Sequence, residues 1–387
     1  MIADLRVSRG TENVLFNLLK YKPNNIDVTI IEPTETRNYP LVLSNSEINE
    51  LTKDCKIIRL NSKLKTLRKD ANSRIAKAYR ELISNRALYY FRHTPKETLD
   101  AIKDTDMAYL FNNQFAIFFS NTDVSVIGTS HTYGFKRVQN KGNKNVFNKF
   151  YYNLLYKIYY KNISFFHLFT DGEYILNDLK QHFKPKGIMV LPNGVDTSLF
   201  YPDYNVNNKK IKFLFVAGLA AEKGLDLLLP LIDRINSNDI EFHIAGGGKL
   251  ADKVKANKRI VYHGVLSDMD LARLYRECDV FIYPSHADTF ALVALQALSS
   301  GLYVMCSDYL KGNFDDFENK SLEYLPLDIE KWYSRVNEII NDSRIIKHDK
   351  KEQYAFVENN YDWKVISKKF YDYMIKFYNY GNEENNA

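Results

Sequence analysis

Cysteine is scarce in this chain of 387 residues, with only Cys55, Cys278 and Cys306. They are odd in number, far apart and never arranged as C-x-x-C, and the histidines bring no zinc-type spacing. This excludes a disulfide framework and a zinc module. Cys278 and Cys306 lie in apolar stretches and read as buried thiols. Long apolar runs are also missing. The longest candidate, 225–232, is short and contains Asp226 and Pro230, far below the roughly 18 residues of a membrane span. The opening MIADLRVSRG has no apolar h-region, so no secretory signal peptide is expected. Solenoid-type repeats are absent. Paired carboxylates that would suggest a glycoside hydrolase do not stand out.

What the chain has is the balance of an ordinary globular protein: 45% hydrophobic and 26% charged residues. Its length favours two domains. The net charge of +6 suits an acidic substrate or an anionic surface and does not call for nucleic acid. Acidic residues are locally sparse. Residues 61–100 hold ten Lys or Arg against four acids, and residues 134–161 hold seven basic residues and no acid. The second stretch carries a helical stripe from Val146 to Tyr159, which reads first as a helix packed on a sheet. Its lysines, and those of 61–100, also make an anionic membrane surface a candidate partner.

The alternation of elements predicts an α/β fold. Residues 2–7, Gly10, Thr11 to Lys20 and Val28 to Ile31 read as strand, turn, helix, strand. Further strands are expected at 107–111, 124–128, 165–169 and 187–191, with a helix near 172–182. After the polar linker 201–210 a second alternation begins. Its strands are expected at 211–217, 240–245, 259–262, 279–283 and 302–306, and its helices at 223–236, 268–277 and 290–300. The division expected is 1–195 and 196–362, with an aromatic helix at about 363–380 folding back onto the first half.

Two junctions of this second alternation carry chemistry. Lys223-Gly224 follows one predicted strand, and Pro284 to Leu292 with Gln296 follows another. Such junctions bind anions, because helix N-termini expose N–H groups and a partial positive charge. A lysine at one junction and Asp288 at the other can grip a diphosphate and a neutral sugar together. Two D-x-D triplets, 104–106 and 268–270, are not expected to hold metal. Ser267 with Asp270 reads instead as a helix cap.

In order and spacing, several stretches resemble the retaining GT-B glycosyltransferases of family 4. They are Leu191 to Asp196, Lys223-Gly224, Ile244 to Gly248, His263-Gly264-Val265, Leu274-Tyr275 with Cys278-Asp279-Val280, and Pro284 to Val304. The first half resembles the family through Gly10, the Val28 strand and His131, and the closing Trp363 helix resembles the family's end. The resemblance implies two Rossmann-like doubly wound domains facing each other across a cleft. It implies a retaining transfer of sugar from a nucleoside-diphosphate-sugar to a hydroxyl acceptor, which could be a glycan, a lipid or a small molecule. Neither a metal nor another cofactor is implied, and the protein is expected in the cytoplasm or at the inner membrane face.

Residue by residue, the resemblance implies that Lys223 meets the donor diphosphate, that Asp288 holds hydroxyls of the transferred sugar and that His131 borders that sugar. Gly10 and Gly224 shape phosphate turns. The backbones of Phe290, Ala291, Leu292 and Val293 face the phosphates, Val265 lies near the base, and Gln296 meets the ribose. Three departures touch this site. Gly218 stands where the family has an arginine, the family's acid pair reads Asp288 and Gln296, and its Gly-Phe-Gly reads Thr289-Phe290-Ala291. These departures keep two rivals in view: a nucleotide-sugar epimerase on the same plan, and a non-catalytic glycan- or membrane-binding protein.

Overall fold

The computed structural model describes residues 1, 10–33, 45–60, 91–130, 160–170, 176–177, 179–180, 183–286, 288–314, 317 and 321–385. The expected strand at 2–7 lies outside them, as do residues 61–90 of the basic stretch 61–100 and residues 134–159 of the basic stretch 134–161. The chain divides into two compact units. The first comprises Met1–Phe169, Tyr174–Leu191 and Ser367–Ala387, and the second Thr170–Glu173 and Pro192–Ile366.

In the first unit, α1 (Gly10–Lys20) precedes β1 (Val28–Pro33), and α2 (Asn45–Leu51) precedes β2 (Cys55–Leu60). β1 and β2 pair in parallel. Leu15, Leu19, Val28 and Ile30 bury together, which accounts for the apolar face of α1. α3 (Lys96–Lys103) leads into β3 (Met107–Tyr109), β4 (Ser125–Thr129), β5 (Phe165–Leu168) and β6 (Gly187–Val190), a four-stranded parallel sheet in chain order. β5 is buried along its whole length, as a strand covered on both faces must be.

A histidine sits inside that sheet. His167 is 3% exposed. Its Nδ1 lies 2.6 Å from the Tyr109 hydroxyl and its Nε2 lies 2.8 Å from the Leu191 carbonyl. A neutral ring with its proton on Nε2 satisfies both contacts, donating to Leu191 and accepting from Tyr109. Burial pushes the His167 pKa down to about 4, against a smaller opposing pull from the Leu191 hydrogen bond. An unfolded histidine takes up its proton near 6.5, so the unfolded chain binds more protons between there and about 4. The stability His167 contributes is therefore complete above pH 6.5 and drains away as the pH falls, by on the order of 3 kcal/mol in all. Urea denaturation at pH 7 and pH 5 should show the parent losing about 2 kcal/mol more than His167→Gln over that interval. Equal losses in the two proteins would clear His167 of the effect.

The second unit holds β7 (Ile211–Val216), α4 (Leu225–Arg234), β8 (Ile240–Ala245), α5 (Ala251–Ala256), β9 (Ile260–Gly264), α6 (Asp268–Glu277) and β10 (Val280–Tyr283). It continues with α7 (Leu292–Ser299), β11 (Tyr303–Ser307), β12 (Leu322–Leu325), α8 (Ile329–Asn341) and α9 (Lys350–Tyr361). Six parallel strands form one sheet in the order β12-β11-β10-β7-β8-β9. The order runs one way from β7 to β9 and the other way from β10 to β12, the doubly wound pattern. α6 starts at Ser267, whose Oγ accepts from the Asp270 amide at 3.2 Å, so this acid belongs to a helix cap. Cys278 and Cys306 are buried free thiols, and Cys55 is half-buried.

α10 (Trp363–Asn385) closes the described chain. From Ser367 onward it belongs to the first unit. There the Tyr371 hydroxyl donates to the Leu18 carbonyl at 3.0 Å and Phe377 stacks on Phe165 with centroids 4.2 Å apart. Among the described residues no helix is long and apolar enough to cross a membrane.

Candidate functional site

The sheet of the second unit reverses its order between β7 and β10, and a doubly wound sheet binds its ligands beyond the carboxyl ends of the strands at that point. Lys223 lies beyond the end of β7 and Asp288 beyond the end of β10. The two side chains meet, with Lys223 Nζ donating to Asp288 Oδ2 at 2.7 Å. Their exposures of 29% and 19% leave both within reach of a ligand. The same carboxylate oxygen accepts from the Tyr283 hydroxyl at 2.8 Å. Burial, and secondarily the Asp288 charge, push the Tyr283 phenol well above its usual range. Tyr283 therefore stays protonated and donates, holding the carboxylate in place.

Close backbone approach fixes the lysine's loop. Lys223 ends a short 3₁₀ turn (Ala221–Lys223) rather than opening the α-helix expected over 223–236, because Gly224 takes φ 91° and breaks the helical path. A Cβ on Gly224 would stand 2.0 Å from the Pro284 carbonyl oxygen. On its other side the loop rests on the turn after β8. The Leu219 amide donates to the Gly247 carbonyl at 2.9 Å, and the Leu250 amide donates to the Leu219 carbonyl at 3.0 Å. Gly246 and Gly248, at φ 132° and 153°, permit this approach.

The loop after β10 is held as well. The His286 amide donates to the Glu222 carbonyl at 3.1 Å. The His286 ring reaches both oxygens of Asp226, in the first turn of α4, at 2.9 and 3.0 Å. Phe290 turns inward, 4% exposed, with its ring against Phe314. Ala291 is the fully buried N-cap of α7, and Leu292 and Val293 are the helix's first residues. The helix thus begins two residues later than position 290. The Leu292 amide donates to the Phe290 carbonyl at 3.0 Å, a local bond at the helix mouth.

Gln296 is one turn further along α7 and half-buried. The Tyr275 hydroxyl donates to the Val293 carbonyl at 2.9 Å and passes Gln296 Oε1 at 3.4 Å. Gly218 is exposed, and a Cβ built on it meets nothing within 4 Å. Val265, just past β9, is 73% exposed. Lys223, Gly224, Asp288 and the mouth of α7 therefore come together, with Gln296 further along the helix and Val265 beyond the end of β9. Gly10 is the first residue of α1 in the other unit, and His131 lies outside the described residues. The Tyr283, Tyr275 and His286–Asp226 contacts escaped the sequence reading. His286, within the run Pro284 to Leu292, and Tyr275, within a family-like stretch, were singled out in the sequence, but not these contacts.

Comparison with known proteins bears on this unit and on the whole fold. Residues 199–363 match the family described as Glycosyl transferases group 1. The sulfoquinovosyl transferase of Arabidopsis thaliana is 27% identical over 197 residues, 46% of this chain and 37% of that protein. The match thus spans little more than a third of that relative's length. Among solved structures, sucrose-phosphate synthase from Thermosynechococcus elongatus aligns with a TM-score of 0.70 at 16% identity, over 95% of this chain and 92% of that one. HepE of Anabaena in complex with UDP-glucose aligns with a TM-score of 0.66 at 13% identity, over 97% and 98% of the two chains. The structural matches show the GT-B fold, and the family match falls on the second unit, at residues 199–363.

Proposed function

We propose that the chain moves a sugar from a nucleoside-diphosphate-sugar to a hydroxyl acceptor, with retention at the anomeric carbon. The observation that carries this reading is the contact of Lys223 with Asp288 at the reversal point of the sheet. A cation for the diphosphate stands beside a carboxylate for the sugar hydroxyls. The ammonium has three protons, so it can keep Asp288 and still donate to a phosphate oxygen.

In the reaction the bond from the anomeric carbon to the phosphate oxygen breaks and the bond to the acceptor oxygen forms. The acceptor's proton passes to a phosphate oxygen on the same face. Charge grows on the leaving diphosphate, and Lys223 with the N-terminus of α7 stabilises it there. Tyr283 holds Asp288 in place for the sugar. The donor is a substrate, and the scheme calls for no cofactor. The UDP-glucose bound to the Anabaena structure makes uridine donors the first to try.

A panel of nucleotide-sugars screened by thermal denaturation will identify the donor, because a bound ligand raises stability by mass action. The selected donor is then incubated with candidate acceptors, and the anomeric configuration of the product is read by NMR. A retained configuration supports the proposal. Inversion refutes the stereochemistry, and interconversion of the donor without acceptor points to an epimerase.

Gln296 offers a graded check. As a neutral amide it accepts one ribose hydroxyl without charge assistance. Gln296→Glu should tighten nucleoside diphosphate binding about fivefold, on the order of 1 kcal/mol. Calorimetric titration reads this directly, and unchanged or weaker binding would remove the ribose assignment.

A further inference from the structure

A charge deficit remains at the site, and one side chain with no assigned role stands on the turn that clasps the loop of Lys223. This inference rests on the donor reading above. A diphosphate ester brings about two negative charges, whereas the mouth of α7 offers about half a positive one. Lys223 adds one cation, but Asp288 already sets a carboxylate against it at 2.7 Å. His286 is likewise committed, to Asp226 at 2.9 Å. Gly218, beside Leu219, has no side chain to contribute.

Lys249 stands on the turn after β8. Its neighbours are the residues that clasp Leu219. Gly247 accepts the Leu219 amide at 2.9 Å, and the Leu250 amide donates back to the Leu219 carbonyl at 3.0 Å. Gly248, at φ 153°, presses this turn so close that a Cβ on it would lie 2.7 Å from the Leu219 carbonyl oxygen. The stem of Lys249 therefore springs from backbone bonded to the residue next to Gly218, where the space is open. Lys249 is exposed, and it has no hydrogen bond or ion pair with any described residue. Its charge is thus uncommitted.

We propose that Lys249 supplies the second cation for the donor diphosphate, covering the open position at Gly218. The turn after β8 then becomes part of the phosphate site. A departure in one loop is offset by a lysine in the next.

The test uses the full chain and calorimetric titration with UDP, GDP and ADP, carrying forward the tightest binder and its parent nucleoside. Lys249→Ala should weaken the nucleoside diphosphate about tenfold, the size of one lost charge-assisted hydrogen bond, and leave the nucleoside unchanged. Lys249→Arg should stay close to the parent. In Gly218→Arg/Lys249→Ala the arginine should restore binding, since its side chain enters open space. Lys311→Ala, on the loop after β11, serves as the comparator and should shift affinity less than twofold. Undiminished diphosphate binding by Lys249→Ala overturns the proposal and leaves the donor reading standing. So does an equal loss for the nucleoside, or an equal loss in Lys311→Ala. A parent protein that binds none of the three diphosphates removes both.

Discussion

Lys223→Ala is expected to lower kcat/KM for sugar transfer by about a thousandfold, roughly 4 kcal/mol, with most of the loss in kcat. The size follows from what the ammonium faces before and during the reaction. Before it, Lys223 balances Asp288 at 2.7 Å. During it, charge builds on the departing diphosphate, and a fixed cation gains most from charge that appears only in the transition state. Removing Lys223 has a second cost. Asp288 keeps its contact with Tyr283 at 2.8 Å but loses the neighbouring cation as an anion enters beside it. Stability should change little, because a partly exposed ion pair contributes about 0–1 kcal/mol. A steady-state assay with an unfolding curve separates the two effects. Activity within threefold of the parent would show that Lys223 does not face the leaving group.

Gly224→Ala is expected to destabilise the second unit by about 3 kcal/mol or more and to abolish donor binding. Two causes add. The backbone holds φ 91°, a region costly for a side chain. The new Cβ would also stand 2.0 Å from the Pro284 carbonyl oxygen, and a backbone atom cannot swing aside. Any relief must move the loop after β10, and Asp288 with it. The control is Gly218→Ala, one turn of the same loop away. Its Cβ enters open space, so the change should stay within about 0.5 kcal/mol. Thermal denaturation of the pair reads the difference directly. Similar midpoints for the two variants would mean that the two loops do not pack as described.

The second unit was largely legible in the sequence because its strands are short apolar runs between helices of clear period. β7, β8 and β10 fall where these runs predict. The loop glycines were visible as well, but their use was not. Gly224 converts the expected start of a helix into a 3₁₀ turn, which needs the neighbouring Pro284 to be seen. β2 was missed because Lys56 and Arg59, both exposed, interrupt the short apolar run of Cys55–Leu60, and only Leu60 is fully buried. β12 and the helices α8 and α9 follow a stretch with little period. At the site, Lys223 and Asp288 were found by residue type and position. Tyr283 was not, because it reads as one more apolar residue of a buried strand until its hydroxyl is seen on Asp288. The same holds for Tyr275 beside Gln296.

The most direct test of the central claim is the structure of the full chain with its nucleoside diphosphate bound. The diphosphate should lie beyond the ends of β7 and β10, with a phosphate oxygen within hydrogen-bond distance of Lys223 Nζ and the phosphates over the first turn of α7. A diphosphate bound elsewhere, with Lys223 still on Asp288, would overturn the donor reading.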